Sequence, residues 1–273
     1  MFMVTLLLAG TGSGGMVVLD LLSREPQVTR LFLIEPDTFQ LHNVVRHLFP
    51  LSGVGQRKID LAAQWIQDRR TDLEVISLPV DLLDPAQQTS IEEAVRECDL
   101  GICAVDNEPA KYHFDALMRK HSKPWTLGEV LSGGIGGWVH RFLPGGACYG
   151  CVASFLQRSL QTDNRPAPDY ANPEAMQAQT RIPASGSAIH TIAGLHAMVT
   201  QEMIQHPESD PGFSSLLMSL MPVEGIFKES FESFRFRIPR SPDCLICHLP
   251  SDGPTGEALD VAVAEALARL LGS

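Results

Sequence analysis

The sequence predicts an α/β fold with one doubly wound sheet, parallel in its N-terminal half and mixed in its C-terminal half. Apolar runs alternate with amphipathic stretches from Val4 to about Val105, and a glycine loop follows the first run. Such alternation implies a parallel sheet covered by helices on both faces. Further glycines interrupt an apolar segment at 124–141, where we expect an antiparallel hairpin. At 273 residues, we expect a single domain, 1–273, with halves 1–145 and 146–273.

The N-terminal half is predicted to run in the order β-α-β-α-β-α-β. Its strands are short apolar runs, and its helices have apolar residues at helical spacing. The predicted segments are Val4–Ala9, Gly15–Ser23, Arg30–Ile34, Lys58–Arg69, Leu73–Pro79, Thr89–Glu97 and Leu100–Val105. A sheet of this type binds ligands beyond the carboxyl ends of its strands.

The C-terminal half has weaker patterns. Four glycines between 133 and 137 indicate a strand that bends before a hairpin partner. Residues 162–187 are rich in Pro, Ala, Gln, Asn and Ser and predict a long, mobile loop. We expect a helix over Ala188–Gln205, a strand over Phe231–Ile238 and a closing amphipathic helix over Gly256–Leu271. A set of aromatic residues could line a partner groove, but aromatics at these spacings are more often in the core, where we expect them: Trp125, Trp138, Phe231, Phe234 and Phe236.

Composition excludes several classes of protein. A formal net charge of −11 does not suit a general binder of nucleic acids or anionic membranes. No apolar run reaches membrane-spanning length, and the opening segment lacks a basic region, which favours a first strand over a signal peptide. Four of the six cysteines form Cys-x-x-Cys pairs, a pattern that suits a reducing compartment. We therefore expect a cytoplasmic protein.

The first predicted strand leads into a loop with the spacing G-x-G-x-x-G, at Gly10, Gly12 and Gly15. Missing side chains let backbone amides approach a phosphate, and the following helix dipole favours its charge. The second strand ends at Glu35 and Asp37, acidic residues expected near a ribose hydroxyl. These features do not separate a nicotinamide cofactor from ATP.

The segments that follow favour a triphosphate. Asn43, Arg46 and Lys58 lie just outside the predicted ligand edge, where the two cations would neutralise phosphates. A later strand ends at Asp106-Asn107, and a carboxylate facing phosphates implies Mg²⁺ between them. The alternative role for Asp106 is N-cap of a helix that starts near Pro109.

Two Cys-x-x-Cys motifs, each able to provide two ligands to a metal ion, occur far apart in the sequence. They are Cys148 with Cys151, and Cys244 with Cys247. Four thiolates form a closed tetrahedral Zn²⁺ site when the fold brings the pairs together, and such a site has a structural role. The alternative is two unrelated reduced pairs or redox motifs.

Taken in order, these motifs resemble the ThiF/MoeB adenylyltransferase family, which has a Rossmann-like ATP-binding fold and is related to the activating enzymes for ubiquitin-like proteins. The family pattern is a glycine loop, an acidic-x-Asp strand end, Asn-x-x-Arg-Gln, Gly-x-x-Lys, Asp-Asn and two Cys-x-x-Cys pairs. This chain has Gly10–Gly15, Glu35-x-Asp37, Asn43-x-x-Arg46-His47, Gly55-x-x-Lys58, Asp106-Asn107 and both cysteine pairs. It departs from the pattern in having Glu35 for the usual Asp and His47 for the usual Gln.

The resemblance implies that Glu35 holds the ribose and that Asn43 and the glycine loop approach the phosphates. Arg46 and Lys58 would stabilise charge, and Asp106 would position Mg²⁺. The implied reaction is ATP-dependent adenylation of the C-terminal carboxylate of a small ubiquitin-like or sulfur-carrier protein, often ending in Gly-Gly. Relatives commonly dimerise, so we expect a homodimer or a heterodimer with a related subunit.

Relatives that pass the acyl group onward use a loop cysteine, and this chain has none between Cys151 and Cys244. Cys98 and Cys103 lie in or beside a predicted strand and are expected to pack in the core. We therefore predict adenylation without an enzyme-bound thioester.

Two family features are missing from this sequence: the loop cysteine, and an arginine that many relatives carry in a helix before the first strand. Their absence leaves open an alternative, in which the chain is a non-catalytic subunit that pairs with an active relative. A nicotinamide-dependent oxidoreductase is the other alternative, but it would leave the cations and Asp106 unexplained.

Overall fold

A computed structural model describes residues 3–159 and 184–248 of the chain. The strands in these residues are β1 Val4–Ala9, β2 Val28–Ile34, β3 Glu74–Leu78, β4 Leu100–Cys103, β5 Trp125–Val130, β6 Gly136–Phe142, β7 Ser215–Ser219 and β8 Ser233–Phe236. The helices are α1 Ser13–Leu22, α2 Lys58–Gln67, α3 Gln88–Glu97, α4 Glu108–Lys120, α5 Tyr149–Ser159 and α6 Gly186–Gln205.

The strands form one sheet in the order β3-β2-β1-β4-β5-β6-β7-β8. Strands β1 to β5 pair in parallel, whereas β6, β7 and β8 pair antiparallel. The predicted fold class, with a parallel N-terminal half and a mixed C-terminal half, is therefore confirmed. The strand order reverses at β1, which lies between β2 and β4. Sheets of this kind bind ligands in the crevice at such a switch point.

Both faces of the sheet are covered by helices because alternate residues of each strand point to opposite faces. On β1, Leu6 and Leu8 belong to the core that includes residues of α1, α2 and α6. Leu7 and Ala9 belong to the core on the other face, with residues of α3 and α4. This packing leaves the carboxyl edge of the sheet for loops, and these loops build the site.

Several elements differ from the prediction. Strand β7 and helix α5 were not predicted. Strand β7 is short and has serine at both ends. Helix α5 begins inside the Cys148–Cys151 pair, which the sequence analysis interpreted only as a pair of metal ligands. Helix α6 begins two residues inside the predicted 162–187 loop, since Ser185 caps it by accepting the Ala188 N–H at 3.2 Å. The rest of that loop that precedes residue 184, and the predicted helix Gly256–Leu271, lie outside the described residues.

The aromatic residues expected in the core divide between the interior and the surface. Trp125 is buried and stacks on Phe142, with the ring centroids 3.9 Å apart. Phe231 is 69% exposed, so the expectation that it packs in the core is wrong. It precedes β8, the last strand of the sheet, where no further described layer covers it. Among the described helices, none has the length and apolar character needed to cross a membrane.

Candidate functional site

A cavity of about 450 Å³ opens at the carboxyl edge of the sheet, at the switch point beside β1. Of the predicted nucleotide-binding residues, all except Gly15 line it. The lining residues named from the sequence are Gly10, Gly12, Glu35, Asp37, Asn43, Arg46, Lys58, Asp106 and Asn107. The fold thus gathers side chains from the ends of β1, β2 and β4 and from the start of α2.

The glycine loop requires glycine at two positions for steric reasons. Gly10 has a φ of +94°, and a Cβ there would lie 2.8 Å from the Ala104 carbonyl oxygen. A Cβ on Gly15 would lie 2.0 Å from the Gly10 carbonyl oxygen, so Gly15 serves close packing beneath the loop. Gly12 is the N-cap of α1 and lines the cavity, where the first N–H groups of that helix favour an anion.

Glu35 is nearly buried at the end of β2, and its carboxylate is held by main-chain donors. Its Oε2 accepts the Thr11 N–H at 2.7 Å and the Thr11 hydroxyl at 3.2 Å. Its Oε1 accepts the Asp37 N–H at 3.0 Å. Each carboxylate oxygen offers about two acceptor positions, so Oε1 retains one for another donor. A ribose hydroxyl is such a donor.

The two cations of the cavity are held differently. Lys58 Nζ donates to Asp37 Oδ2 at 2.7 Å, and the side chains are 10% and 63% exposed respectively. In the part of the chain that the structure describes, the Arg46 guanidinium forms no ion pair. Its main-chain carbonyl accepts a hydrogen bond from His190 Nε2 of α6 at 3.1 Å. Within residues 3–159 and 184–248, no acidic side chain competes with an anionic ligand for the Arg46 guanidinium.

His47 lies in the cavity wall beside Arg46 and is buried. Its Nε2 is 3.0 Å from the Thr11 carbonyl oxygen, and its Nδ1 accepts the Phe49 N–H at 3.3 Å. Burial and the nearby charges of Lys58 and Arg46 lower the pKa of His47 to about 4, although the hydrogen bond to the Thr11 carbonyl acts in the opposite direction. The imidazole is therefore neutral at pH 7. Asn43, in the same segment, uses Oδ1 to accept the Gln40 N–H at 2.9 Å.

Asp106 and Asn107 follow β4 at the rim of the cavity. Asn107 is the N-cap of α4, because its Oδ1 accepts the Ala110 N–H at 2.8 Å. The alternative that Asp106 caps this helix is therefore wrong. Asp106 is exposed one residue earlier and lines the cavity.

Three further features of the cavity or of the residues that support it were not predicted. Asp81 lines the cavity after β3, as Glu35 does after β2, so the same strand-end pattern identifies it in hindsight. Ile189 reaches the cavity from α6, and no local sequence signal indicates this. The role of Thr11 in holding Glu35 depends on its main chain, which a residue-type search does not detect. With Asp81 included, the lining has four carboxylates and the two cations described above.

The two cysteine pairs meet in one cluster. All four sulfur atoms lie within 4.8 Å of one another. The Cys148–Cys151, Cys148–Cys244 and Cys151–Cys247 sulfur distances are 3.7, 3.6 and 3.6 Å. A tetrahedral ion with Zn–S bonds of about 2.3 Å would place its sulfurs about 3.8 Å apart. The cluster therefore has the donor atoms and spacing of a four-thiolate metal site, and the alternative of two unrelated pairs is wrong.

The other two cysteines are inaccessible. Cys98 and Cys103 are fully buried, and burial raises the pKa of each thiol to about 12. The prediction that they pack in the core is confirmed. Because the sequence has six cysteines, every thiol of the chain lies either in the four-sulfur cluster or in the core.

Comparison with known proteins identifies similar sequences and folds. The sequence model of the ThiF family matches residues 2–260. The ubiquitin-like modifier-activating enzyme 5 of Drosophila willistoni is 28% identical over 157 residues, which cover 54% of this chain and 38% of that protein. The enzyme of the same name from Oryza sativa subsp. japonica is 25% identical over 162 residues, covering 56% and 38%. The chain thus matches about two fifths of the length of these relatives.

Solved structures share the fold at low sequence identity. E. coli MccB, solved with ATP, has a TM-score of 0.65 and 16% identity, covering 89% of this chain and 66% of that chain. PaaA has a TM-score of 0.62 and 17% identity, covering 86% and 73%. At these identities the likeness establishes the α/β fold.

Proposed function

The chain belongs to the ThiF family, and on that premise we propose that it uses ATP to adenylate the C-terminal carboxylate of a small ubiquitin-like or sulfur-carrier protein. The observation that carries the proposal is the cavity that joins the glycine loop to Glu35, Arg46, Lys58 and Asp106. The names of the relatives support a ubiquitin-like substrate, and the fold shared with MccB, solved with ATP, supports the nucleotide.

The proposed nucleotide position follows from the donors and acceptors of the cavity. Glu35 would accept from the ribose, and the N–H groups at the start of α1 would face the phosphates. Asn43, which also lines the cavity, would approach the phosphates together with the glycine loop. Asp37 and Asn107 would contact the nucleotide from the ends of β2 and β4.

The charge of the cavity favours a metal-bound nucleotide. Four carboxylates and two cations line it, and the triphosphate would add further negative charge. Mg²⁺ is held in proteins by one or two carboxylates together with substrate phosphates. The exposed Asp106 carboxylate at the rim suits this role, and bound Mg²⁺ would neutralise phosphate charge there.

In the proposed reaction a carboxylate oxygen of the carrier attacks the α-phosphorus of ATP. A new oxygen–phosphorus bond forms, the bond from the α-phosphorus to the bridging oxygen breaks, and pyrophosphate leaves. The attacking carboxylate is ionised at pH 7, so the step needs no protein base. Arg46 and Lys58 would hold the reacting groups in line and stabilise the charge that develops on the phosphates.

We propose that the reaction stops at the acyl-adenylate, without a thioester to the enzyme. Two thiols are buried and the other four form one cluster, so the chain offers no separate, accessible nucleophilic sulfur.

The four-cysteine cluster would hold Zn²⁺ in a structural role, since four sulfurs leave no open position for catalysis. We further propose a homodimer or a heterodimer with a related subunit.

The test is incubation with Mg-ATP and small ubiquitin-like or sulfur-carrier proteins that end in Gly-Gly. We expect mass spectrometry to find AMP added to the carrier, and non-reducing gels to show no conjugate with the enzyme. Asp106→Asn should abolish the adduct, and Glu93→Gln, which removes an exposed carboxylate of α3, should not. A carrier that binds without forming the adduct would instead indicate the pairing subunit, and a reducible conjugate would overturn the absence of a thioester.

A further inference from the structure

Thr11, in the middle of the glycine loop, is held from two sides by side chains distant in sequence. Its N–H and hydroxyl donate to Glu35 Oε2, as described above. Its carbonyl oxygen lies 3.0 Å from His47 Nε2. One bond comes from the end of β2 and the other from the segment that carries Arg46. The loop residue is therefore fixed between the ribose side and the phosphate side of the cavity.

The hydrogen bonds of His47 determine which ring nitrogen carries the proton. Nδ1 accepts the Phe49 N–H at 3.3 Å, so it must be unprotonated. A neutral imidazole then carries its proton on Nε2, which donates to the Thr11 carbonyl. The ring is also fixed by packing, since its centroid lies 4.3 Å from that of Phe49 and 5.1 Å from that of Phe39.

The bond to the carbonyl orients more than one atom. The peptide unit between Thr11 and Gly12 is planar, so a fixed Thr11 carbonyl also fixes the Gly12 N–H. Gly12 is the N-cap of α1 and lines the cavity. We propose that His47 is a positioning residue that holds the glycine loop in the orientation that binds the phosphates of ATP. This role rests on the proposed function.

The two hydrogen bonds can be tested separately with two amide side chains. The amide nitrogen of glutamine reaches the position of histidine Nε2 and can donate to the Thr11 carbonyl. The shorter asparagine reaches only the position of Nδ1 and can accept the Phe49 N–H. We therefore compare His47→Gln, His47→Asn and His47→Ala by calorimetric titration with Mg-ATP, and follow each fold by thermal unfolding. His113→Asn, on α4 outside the cavity, is the control.

We expect His47→Asn and His47→Ala to weaken Mg-ATP binding about tenfold, the effect of one lost hydrogen bond. His47→Gln should bind within about threefold of the wild type, and His113→Asn should bind unchanged. Nitrogen-15 NMR of the wild type should find the His47 proton on Nε2. A proton on Nδ1, equal binding by all variants, or rescue by asparagine and not glutamine would overturn the role. A wild type that binds no Mg-ATP contradicts the proposed function instead, and the NMR result still reports the hydrogen bond.

Discussion

At the scale of single residues, Arg46 and Lys58 differ in the ion pairs that their side chains form before a phosphate binds. Lys58 is already paired with Asp37 at 2.7 Å, and this pair fixes the lysine in place. The Arg46 guanidinium has no ion pair within residues 3–159 and 184–248. A ligand phosphate would therefore gain a charge-assisted bond from Arg46 without breaking an ion pair to any described residue, which makes Arg46 the more direct probe of the site.

We expect Arg46→Ala to weaken Mg-ATP binding about 10- to 100-fold while the melting temperature stays unchanged. The loss corresponds to one hydrogen bond to a charged group, about 1.5–3 kcal/mol. Calorimetry and thermal unfolding measure the two quantities. Arg57→Ala is the matched control, since Arg57 pairs with Asp60 on the surface outside the cavity. Equal effects of both substitutions on ATP binding would contradict the assignment.

The strand-end residues could be predicted because the carboxyl ends of parallel strands meet at one edge of the sheet. Glu35 and Asp106 follow directly from that rule, and Asp81 could have been found by the same rule. The hydrogen bond from His47 to Thr11 could not, because it depends on how two loops pack. The sequence analysis considered Asp106 as the N-cap of α4, and only the structure identified Asn107 in that role, since both residue types cap helices.

At the scale of elements, the junction of β1 and α1 is the most constrained part of the site. Gly14 and Gly15 are neighbours in the first turn of α1, yet their surroundings differ. A Cβ on Gly14 would make ordinary contact with Ile189 at 3.7 Å, whereas one on Gly15 would lie 2.0 Å from the Gly10 carbonyl oxygen. The helix can approach the strand this closely only because residue 15 has no side chain.

We predict that Gly15→Ala lowers the free energy of unfolding by about 3 kcal/mol or more, as overpacking against the backbone does. Gly14→Ala should leave stability unchanged or raise it slightly, because alanine is the better helix former by about 1 kcal/mol. Chemical denaturation of the two variants measures both effects. Similar stabilities for the two would contradict the close packing of α1 on the glycine loop.

Element prediction succeeded where apolar runs had clear ends. Strand β1 was predicted at its observed bounds because the glycine loop ends it. Strand β7 was missed because its five residues show no alternation of polar and apolar residues and begin and end with serine. Helix α6 was found, but its start was not, since the Ser185 cap lies in a segment whose composition predicts a loop.

At the scale of the whole molecule, the pH dependence of stability rests on two titratable groups at β5, one that packs against the strand and one that lies on it. His196 of α6 is almost completely buried and lies 2.8 Å from the Thr126 hydroxyl, and burial lowers its pKa from 6.5 to about 3. Burial raises the pKa of the Glu129 carboxyl, but its interactions with His140 and Lys111 outweigh this and lower the pKa to about 2. Both groups favour the folded state at neutral pH.

We predict that the free energy of unfolding falls as the pH decreases below 6.5. An unfolded His196 takes up a proton below pH 6.5, whereas the folded one does so only near pH 3. Its contribution is therefore complete above pH 6.5 and is lost toward pH 3, at about 1.4 kcal/mol per pH unit. Glu129 adds a loss between pH 4.5 and 2. Denaturation of His196→Gln should show a shallower slope between pH 6.5 and 4, and an unchanged slope would contradict this account.

The four-cysteine cluster links α5 to the segment at 244–247, so metal content should affect the whole fold. We expect one zinc ion per chain by elemental analysis, and a lower melting temperature after chelation, because metal binding adds directly to folding free energy. Cys247→Ser should lose zinc. Cys98→Ala, which removes a buried thiol outside the cluster, should retain it. Metal-free protein with the same melting temperature would contradict a structural zinc site.

The most direct test of the central claim is calorimetric titration of the protein with ATP and Mg²⁺, with ATP and a chelator, and with NAD(H). We predict that Mg-ATP binds, that removal of Mg²⁺ weakens binding because four carboxylates line the cavity, and that Asp106→Ala weakens it as well. NAD(H) should not bind. Binding of NAD(H) in preference to Mg-ATP, or Mg-ATP binding unaffected by Asp106→Ala, would contradict the proposed adenylation site.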